Sequence, residues 1–283
     1  MLLRCATARE CRSSLLVLLL MCILSVLIAD EGVGAEGGGG EEQWAFVKQC
    51  KHGKFLLNKH DTDISKVLAE TGEWEEQPLQ ILLSIVREGD TVIDAGANVG
   101  AMTVPLAKKV GPTGRVHAFE PQRVVNQQLN GNVALNSLMN VDVYLAALGN
   151  ETGHVMVPSV NYLIPGNFGA VSLSRRFKDA SDSWMYRVPV LTLDSISFAK
   201  CPSLLKMDVE LMEVQVLRGA RHLLTRCKPI IYAENNCIHT SPALVEELYA
   251  LGYVPYWDSN APMNMICIPR NRLKGVEVGG AGA

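Results

Sequence analysis

From Thr91 onward the chain alternates short apolar runs with stretches whose apolar positions recur every three or four residues. The first run, Thr91-Val-Ile-Asp-Ala-Gly96, is β-branched and stops at glycine. Met102, Leu106 and Val110 follow at helical spacing, which predicts a strand leading into a helix. The unit recurs: Arg115-Val-His-Ala-Phe119 precedes a helix carrying Val125, Leu129 and Val133, and residues 141–148 read as a third strand. Residues 204–209 predict a fourth core strand, then one helix with Val216, Ala220 and Leu223 on one face, stopping before Pro229. Residues 229–234 predict a fifth strand. Ser241-Pro242 opens a helix through Leu251, and residues 253–257 and 263–268 predict two final strands, antiparallel to each other. Such alternation implies an α/β fold with a doubly wound, mostly parallel seven-stranded sheet and right-handed crossovers.

The rhythm breaks after the third strand. Residues 149–186 are rich in Gly, Ser, Asn and Pro and too long for a simple connection, which predicts a hairpin or a lid over the site. Tyr162, Phe168, Trp184 and Tyr186 in this insertion could grip an apolar or sugar-like molecule, and packing accounts for them equally well. Residues 188–193 resume extended structure.

The first thirty residues join Arg4, Arg9 and Arg12 to an apolar run over 15–29 with no acidic residue. Residues 1–30 are therefore expected to be a signal-anchor or a signal peptide, the run being short for a spanning helix and long for a signal core. Basic residues on its N-terminal side imply a single-pass membrane protein with a lumenal catalytic domain in the secretory pathway. The alternative is a secreted or lumenal domain after cleavage near Ala29 or Ala35. Residues 31–43 read as a flexible Gly/Glu-rich linker, 44–275 as one folded domain, and 276–283 as a disordered tail. Asn150-Glu151-Thr152 is a glycosylation acceptor sequence, relevant if the domain reaches the lumen.

Of 283 residues, 48% are hydrophobic and the net charge is -3, which excludes a disordered chain. Basic runs are no longer than Lys108-Lys109 and Arg175-Arg176, so no nucleic-acid partner is expected. Cys50, Cys201, Cys227, Cys237 and Cys267 follow the membrane segment at irregular spacing. They suit no zinc ribbon, their odd number argues against full pairing, and they read as mostly core thiols.

The sharpest chemical signal is Asp94-Ala-Gly96-Ala-Asn98-Val-Gly100, where the first strand turns into the first helix. Glycines there permit a tight turn and close ligand approach, and Asp94 could bind the amino group of an amino-acid moiety directly or through water. The glycine spacing is not that of a dinucleotide loop, which counts against a nicotinamide oxidoreductase. Glu120 ends the second strand, where open α/β sheets place a carboxylate for ribose hydroxyls. A nucleoside-plus-amino-acid ligand is the reading that unites these residues. Asp208 and Glu210, at the end of the fourth strand, face the same crevice if the segment is extended and diverge if a helix has begun by Val209. They could act as a base or hold a metal, or Asp208 could simply cap the next helix; no metal site is assigned. Glu234, Asn235 and Asn236 end the fifth strand, and His239 beyond them is a possible general base.

These motifs, with Leu193-Asp194-Ser195, Lys206-Met-Asp208-Val-Glu210, Gly166-Asn-Phe-Gly169, Leu217-Arg-Gly219-Ala and Asn264-Met-Ile-Cys-Ile-Pro269, resemble the FkbM-type methyltransferases from about Asp90 to Arg270. The resemblance implies a Rossmann-like class I methyltransferase fold and transfer of the S-adenosylmethionine methyl group, commonly to a hydroxyl oxygen; the acceptor expected here is a sugar-like or other small molecule or a glycan. It also implies that Asp94, Gly96, Asn98 and Gly100 cradle the methionine part, that Glu120 holds the ribose, and that Asn126 and Asn132 lie near them. Asp208, Glu210 and His239 are the catalytic candidates. The chain departs from the family in having Leu211 where a glycine is expected after Glu210, and in a shorter segment between Trp257 and Asn264. A leucine resists positive φ and close approach, so the competing reading is a catalytically silent S-adenosylmethionine-binding scaffold.

Overall fold

The computed structural model describes residues 43–170, 185–237, 241–259 and 261–273. Its centre is a seven-stranded sheet built from β3 (Thr91–Ala95), β4 (Arg115–Phe119), β5 (Val141–Tyr144), β9 (Pro202–Met207), β10 (Ile230–Glu234), β11 (Tyr253–Asp258) and β12 (Ala261–Pro269). The spatial order is β11-β12-β10-β9-β3-β4-β5. Only β12 runs against its neighbours, pairing antiparallel with both β10 and β11, while β10, β9, β3, β4 and β5 pair in parallel. This is the expected fold class, with the strand order reversing between β3 and β9.

Both faces of the sheet are covered, which is why its central strands read as continuous apolar runs rather than alternating ones. Ile93, Ala95, Leu205 and Met207 point into one core, against helices α5 (Glu213–Arg218), α6 (Arg221–Cys227) and α7 (Ser241–Ala250). Val92 and Leu204 point the other way, packing with Leu79 and Leu82 of α2 (Glu76–Ile85) and Leu106 and Val110 of α3 (Thr103–Val110).

Four features depart from the sequence expectations. The third strand divides: β5 stays in the main sheet, while β6 (Ala147–Leu148) joins β7 (Gly153–Pro158) and β8 (Met185–Leu191) in a separate sheet of order β6-β8-β7. The expected single helix after β9 is two, α5 and α6, broken at Gly219, where a Cβ would stand 1.9 Å from the Gly149 carbonyl oxygen. That contact seats the insertion on the helical layer. Among the cysteines, Cys201 and Cys227 form a disulfide rather than remaining thiols; Cys50 and Cys267 are buried and free, and Cys237 is free.

The fourth departure is an N-terminal unit that the strand-helix reading missed. A hairpin of β1 (Ala45–Cys50) and β2 (Gly53–Asn58) leads to α1 (Ile64–Thr71) and α2. Phe55, Leu57 and Leu68 bury themselves against Ala101 and Val104. Helix α4 (Arg123–Leu135) and the Asn136 that caps it hold the hairpin by side-chain amides: Asn132 accepts from the Leu56 N–H while donating at 2.7 Å to the Val99 carbonyl in the loop after β3, and Asn136 donates to Lys54 O at 2.7 Å. No helix among the described residues is long and apolar enough to cross a membrane. The expected membrane segment 1–30, nearly all of the linker and the tail 276–283 lie outside the described residues.

Candidate active site

A cavity of about 370 Å³ opens where β3, β4, β9 and β10 end, beside the reversal of strand order. Gly96, Ala97 and Asn98 form one wall, Phe119 to Gln122 a second, Lys206 and Asp208 to Glu210 a third, and Glu234 and Asn236 reach it from β10.

Gly96 has φ 77, and a Cβ there would meet the Asp208 carbonyl oxygen at 1.7 Å. The glycine is thus required by the backbone following β9 before any ligand is considered. Asn98, at φ 49, donates its backbone N–H to Glu120 Oε2 at 3.0 Å, and Gln122 N–H reaches Oε1 at 2.8 Å. Each Glu120 oxygen keeps acceptor capacity for a hydroxyl. Burial pushes the Glu120 carboxyl up to about 7, against the opposing pull of those two N–H groups.

Asp94 is fully buried and does not line the cavity. Its Oδ2 accepts from the Thr103 hydroxyl at 2.6 Å, and its Oδ1 lies 3.4 Å from the Lys206 ammonium. Parallel pairing sets these two residues opposite each other on β3 and β9. Lys206 also donates to Gly96 O at 2.8 Å and stands 3.7 Å from Asp208. Burial alone would lower the lysine pKa; Asp94, Asp208 and Glu75 outweigh it and raise it. Asp94 therefore acts on the cavity through Lys206, not by direct contact.

Asp208 and Glu210 follow neither of the two expected geometries. The chain turns after Met207 with Glu210 at φ 51 and Leu211 at φ 75, before α5 begins at Glu213. The turn aims Asp208, Glu210 and Glu234 at one point, with one carboxylate oxygen from each within 4.8 Å of the others. Burial, and then the Asp208 carboxylate hydrogen-bonded beside it, raise the Glu234 pKa. Such a group can share a proton or hold a cation. Leucine at position 211 does adopt the left-handed conformation that a glycine would take.

Other expectations resolve differently. Asn126 donates to the Glu120 and Tyr144 carbonyls at 3.1 Å, and both Asn126 and Asn132 are absent from the cavity wall; they brace backbone. Tyr162 and Phe168 are buried: Tyr162 donates to Gln122 Oε1 at 3.0 Å, and Gln122 donates to Phe168 O at 2.7 Å. These aromatics latch the insertion to the loop after β4, and Tyr186 accepts from Arg123 N–H at 2.7 Å. It is Asn167, Gly169 and Ala170 of the insertion that reach the cavity. His239 and Trp184 lie outside the described residues. Sequence reasoning missed Asp63, Trp74 and Glu75, which line the cavity from the N-terminal unit. No local motif marks them. The signal for Lys206 was available: a lysine within an apolar central strand.

The description of the Methyltransferase FkbM domain matches residues 94–255, more than half of the chain. This protein belongs to the FkbM methyltransferase family. S-adenosylmethionine is the methyl donor of such enzymes. Over 81 residues the chain is 32% identical to the 23S rRNA (uracil(1939)-C(5))-methyltransferase RlmD of Acinetobacter baylyi, covering 28% of this chain and 18% of that protein. Over 84 residues it is 34% identical to the tRNA(Phe) (4-demethylwyosine(37)-C(7)) aminocarboxypropyltransferase of Methanocaldococcus jannaschii, covering 30% of this chain and 32% of that protein. The chain thus spans less than a third of either relative's length. Among solved structures it is similar to the methyltransferase FkbM of Methylobacillus flagellatus, with 20% identity and a TM-score of 0.47 over 69% of this chain and 48% of that one.

Proposed function

We propose that this FkbM protein transfers the methyl group of S-adenosylmethionine to a hydroxyl of a small-molecule or glycan acceptor. The observation that carries the reading is the convergence, in one cavity, of the Asn98–Glu120 pair with the Asp208, Glu210 and Glu234 carboxylates. The residues fit the donor: Glu120 has acceptor capacity for ribose hydroxyls, and the surrounding carboxylates suit a cationic sulfonium ligand. When bound, the donor supplies an electrophilic methyl on a good leaving group. The protein's part is alignment, which can contribute on the order of 7–11 kcal/mol, and removal of the acceptor proton, typically worth ~10²–10⁴-fold.

For that proton Asp208 is the leading candidate, with Glu210 next and His239 third. Glu234, beside Asp208, provides a place for the proton to rest. Asp94 and Lys206 hold the Gly96 turn that presents the donor site. The silent-scaffold reading has less support, because the turn that Leu211 was expected to prevent is formed. Titration calorimetry of the purified chain with S-adenosylmethionine and S-adenosylhomocysteine tests the assignment. Micromolar binding lost in Glu120→Ala supports it, and no binding by folded protein overturns it.

A lumenal domain tethered by residues 1–30 is our reading of its location. The N-terminal apolar run, the Cys201–Cys227 disulfide and the exposed Asn150 on the β6–β7 turn support it. Although the two curated relatives are named for RNA substrates, six carboxylates and one ammonium line this cavity among the described residues, a setting that repels phosphate.

A further inference from the structure

We infer that the domain rests on the bilayer through a surface formed by Trp44, Arg123, Leu163 and Ile164, which docks into the interfacial region of phospholipids. The inference rests on the reading of residues 1–30 as a tether and goes beyond it by naming the face that meets the membrane.

This surface is separate from the active-site cavity. A second, open cavity of about 570 Å³ lies between the start of β1, the first turn of α4 and the segment after β7, with Trp44, Arg123, Val124, Val160 and Leu163 in its wall. No carboxylate lines it among the described residues, in contrast to the active-site cavity. Val124 and Val160 turn inward, packing with Val99, Val125, Tyr162 and Phe168. Leu163 and Ile164 project outward, 58% and 55% exposed. The main chain beneath them is nonetheless fixed, since Asn58 Nδ2 donates to Tyr162 O at 3.1 Å and the Leu163 N–H donates to Asn161 Oδ1 at 3.0 Å. Trp44 is held likewise, its carbonyl accepting from the Lys59 N–H at 2.9 Å. The Arg123 guanidinium lies 5.6 Å from the Tyr186 ring centroid and forms no ion pair among the described residues. Two projecting aliphatic side chains beside an indole and an unneutralised guanidinium are the chemistry of a bilayer interface anchor.

What covers this surface follows from where the chain enters the domain. Residues 30–43 separate the apolar run 15–29 from Trp44. Even at full extension a stretch of that length reaches only about 50 Å. A domain the size of residues 44–275 has a radius of about 22 Å, so a chain entering at Trp44 would have to run about 70 Å around it before the opposite face could meet the bilayer. The membrane therefore lies on the side of Trp44, where Leu163 and Ile164 project. There the aliphatic side chains and the indole enter the boundary between headgroups and acyl chains, and the guanidinium bonds phosphate oxygens. The same segment goes on to line the active-site cavity at Asn167, so docking of its tip fixes how that cavity stands to the bilayer.

The test reconstitutes the full chain into vesicles of phosphatidylcholine and phosphatidylglycerol, with and without bromine on the acyl chains, and reads indole fluorescence. Residues 1–43 contain no tryptophan, so insertion of the tether alone quenches nothing. Quenching by brominated lipid is expected in the parent. It is expected to be lost in Trp44→Phe, and lost equally in Leu163→Ser/Ile164→Ser, which keeps the indole and removes the projecting side chains; all three proteins co-float with the vesicles. Co-flotation without quenching, or quenching that either variant retains, overturns this inference and leaves the tether standing. Crosslinking of two copies through Leu163 and Ile164 in the vesicles also overturns it, since a second copy is then the occupant. Failure of the parent to co-float overturns both the tether and the docking, and leaves the methyltransferase reading untouched.

Discussion

Leu211 occupies a backbone position at φ 75 that costs a branched residue about 1–2 kcal/mol relative to glycine. Glycine would restore part of that through lower strain and return some to the unfolded chain's entropy. Leu211→Gly is therefore expected to raise stability by up to about 1 kcal/mol, measured by denaturant unfolding; a loss of stability would mean the leucine side chain is held by packing. Gly96→Ala should behave oppositely, since its methyl would fall 1.7 Å from the Asp208 carbonyl oxygen. A destabilisation on the order of 3 kcal/mol or more, or failure to fold, is expected. Glu120 gives a pH signature. Its folded pKa of about 7 lies above the ordinary 4.5, so the folded state binds the extra proton and stability falls as pH rises between those values. Glu120→Gln should remove that slope in thermal melts. In the same range, donor affinity should rise with pH as the carboxylate ionises to accept the ribose hydroxyls.

At the level of elements, the Cys201–Cys227 disulfide joins the start of β9 to the end of α6 across 26 residues. Closing a loop of that length lowers unfolded-state entropy enough to contribute about 3–4 kcal/mol. A Cys201→Ser/Cys227→Ser variant should unfold at correspondingly lower denaturant, while retaining donor binding if the cavity forms without the link. The pairing was not legible from the spacing, because it depends on how α6 returns over the sheet edge. The periodicity did identify β3, α3, β4, α4 and β10, whose apolar faces are long and regular. It merged β5 with β6 because residues 141–148 are apolar apart from Asp142 and contain no Gly, Pro or Asn to mark a break, and the division is made by Val190 and Leu191 pairing with Ala147 and Leu148. It merged α5 with α6 because the contact of Gly219 with Gly149 O spans seventy residues and leaves no local mark.

For the whole molecule, local pattern was sufficient for the α/β class, the seven-stranded sheet, the insertion after the third strand and the motifs at the strand ends. These follow from periodicity, from turn chemistry and from the rule that parallel strands deliver their carboxyl ends to one edge. The sequence alone thus determined which residues meet near the cavity: Gly96, Asn98, Glu120, Asp208 and Glu210. Tertiary structure decided what each does there. It withdrew Asp94 behind Lys206, turned Glu210 back toward Glu234, and brought Asp63, Trp74 and Glu75 from an N-terminal unit with no recognisable motif. The division has a physical cause. Strand and helix formation depend on neighbours a few residues apart, whereas burial, charge pairing and cavity shape depend on contacts between segments far apart in the chain.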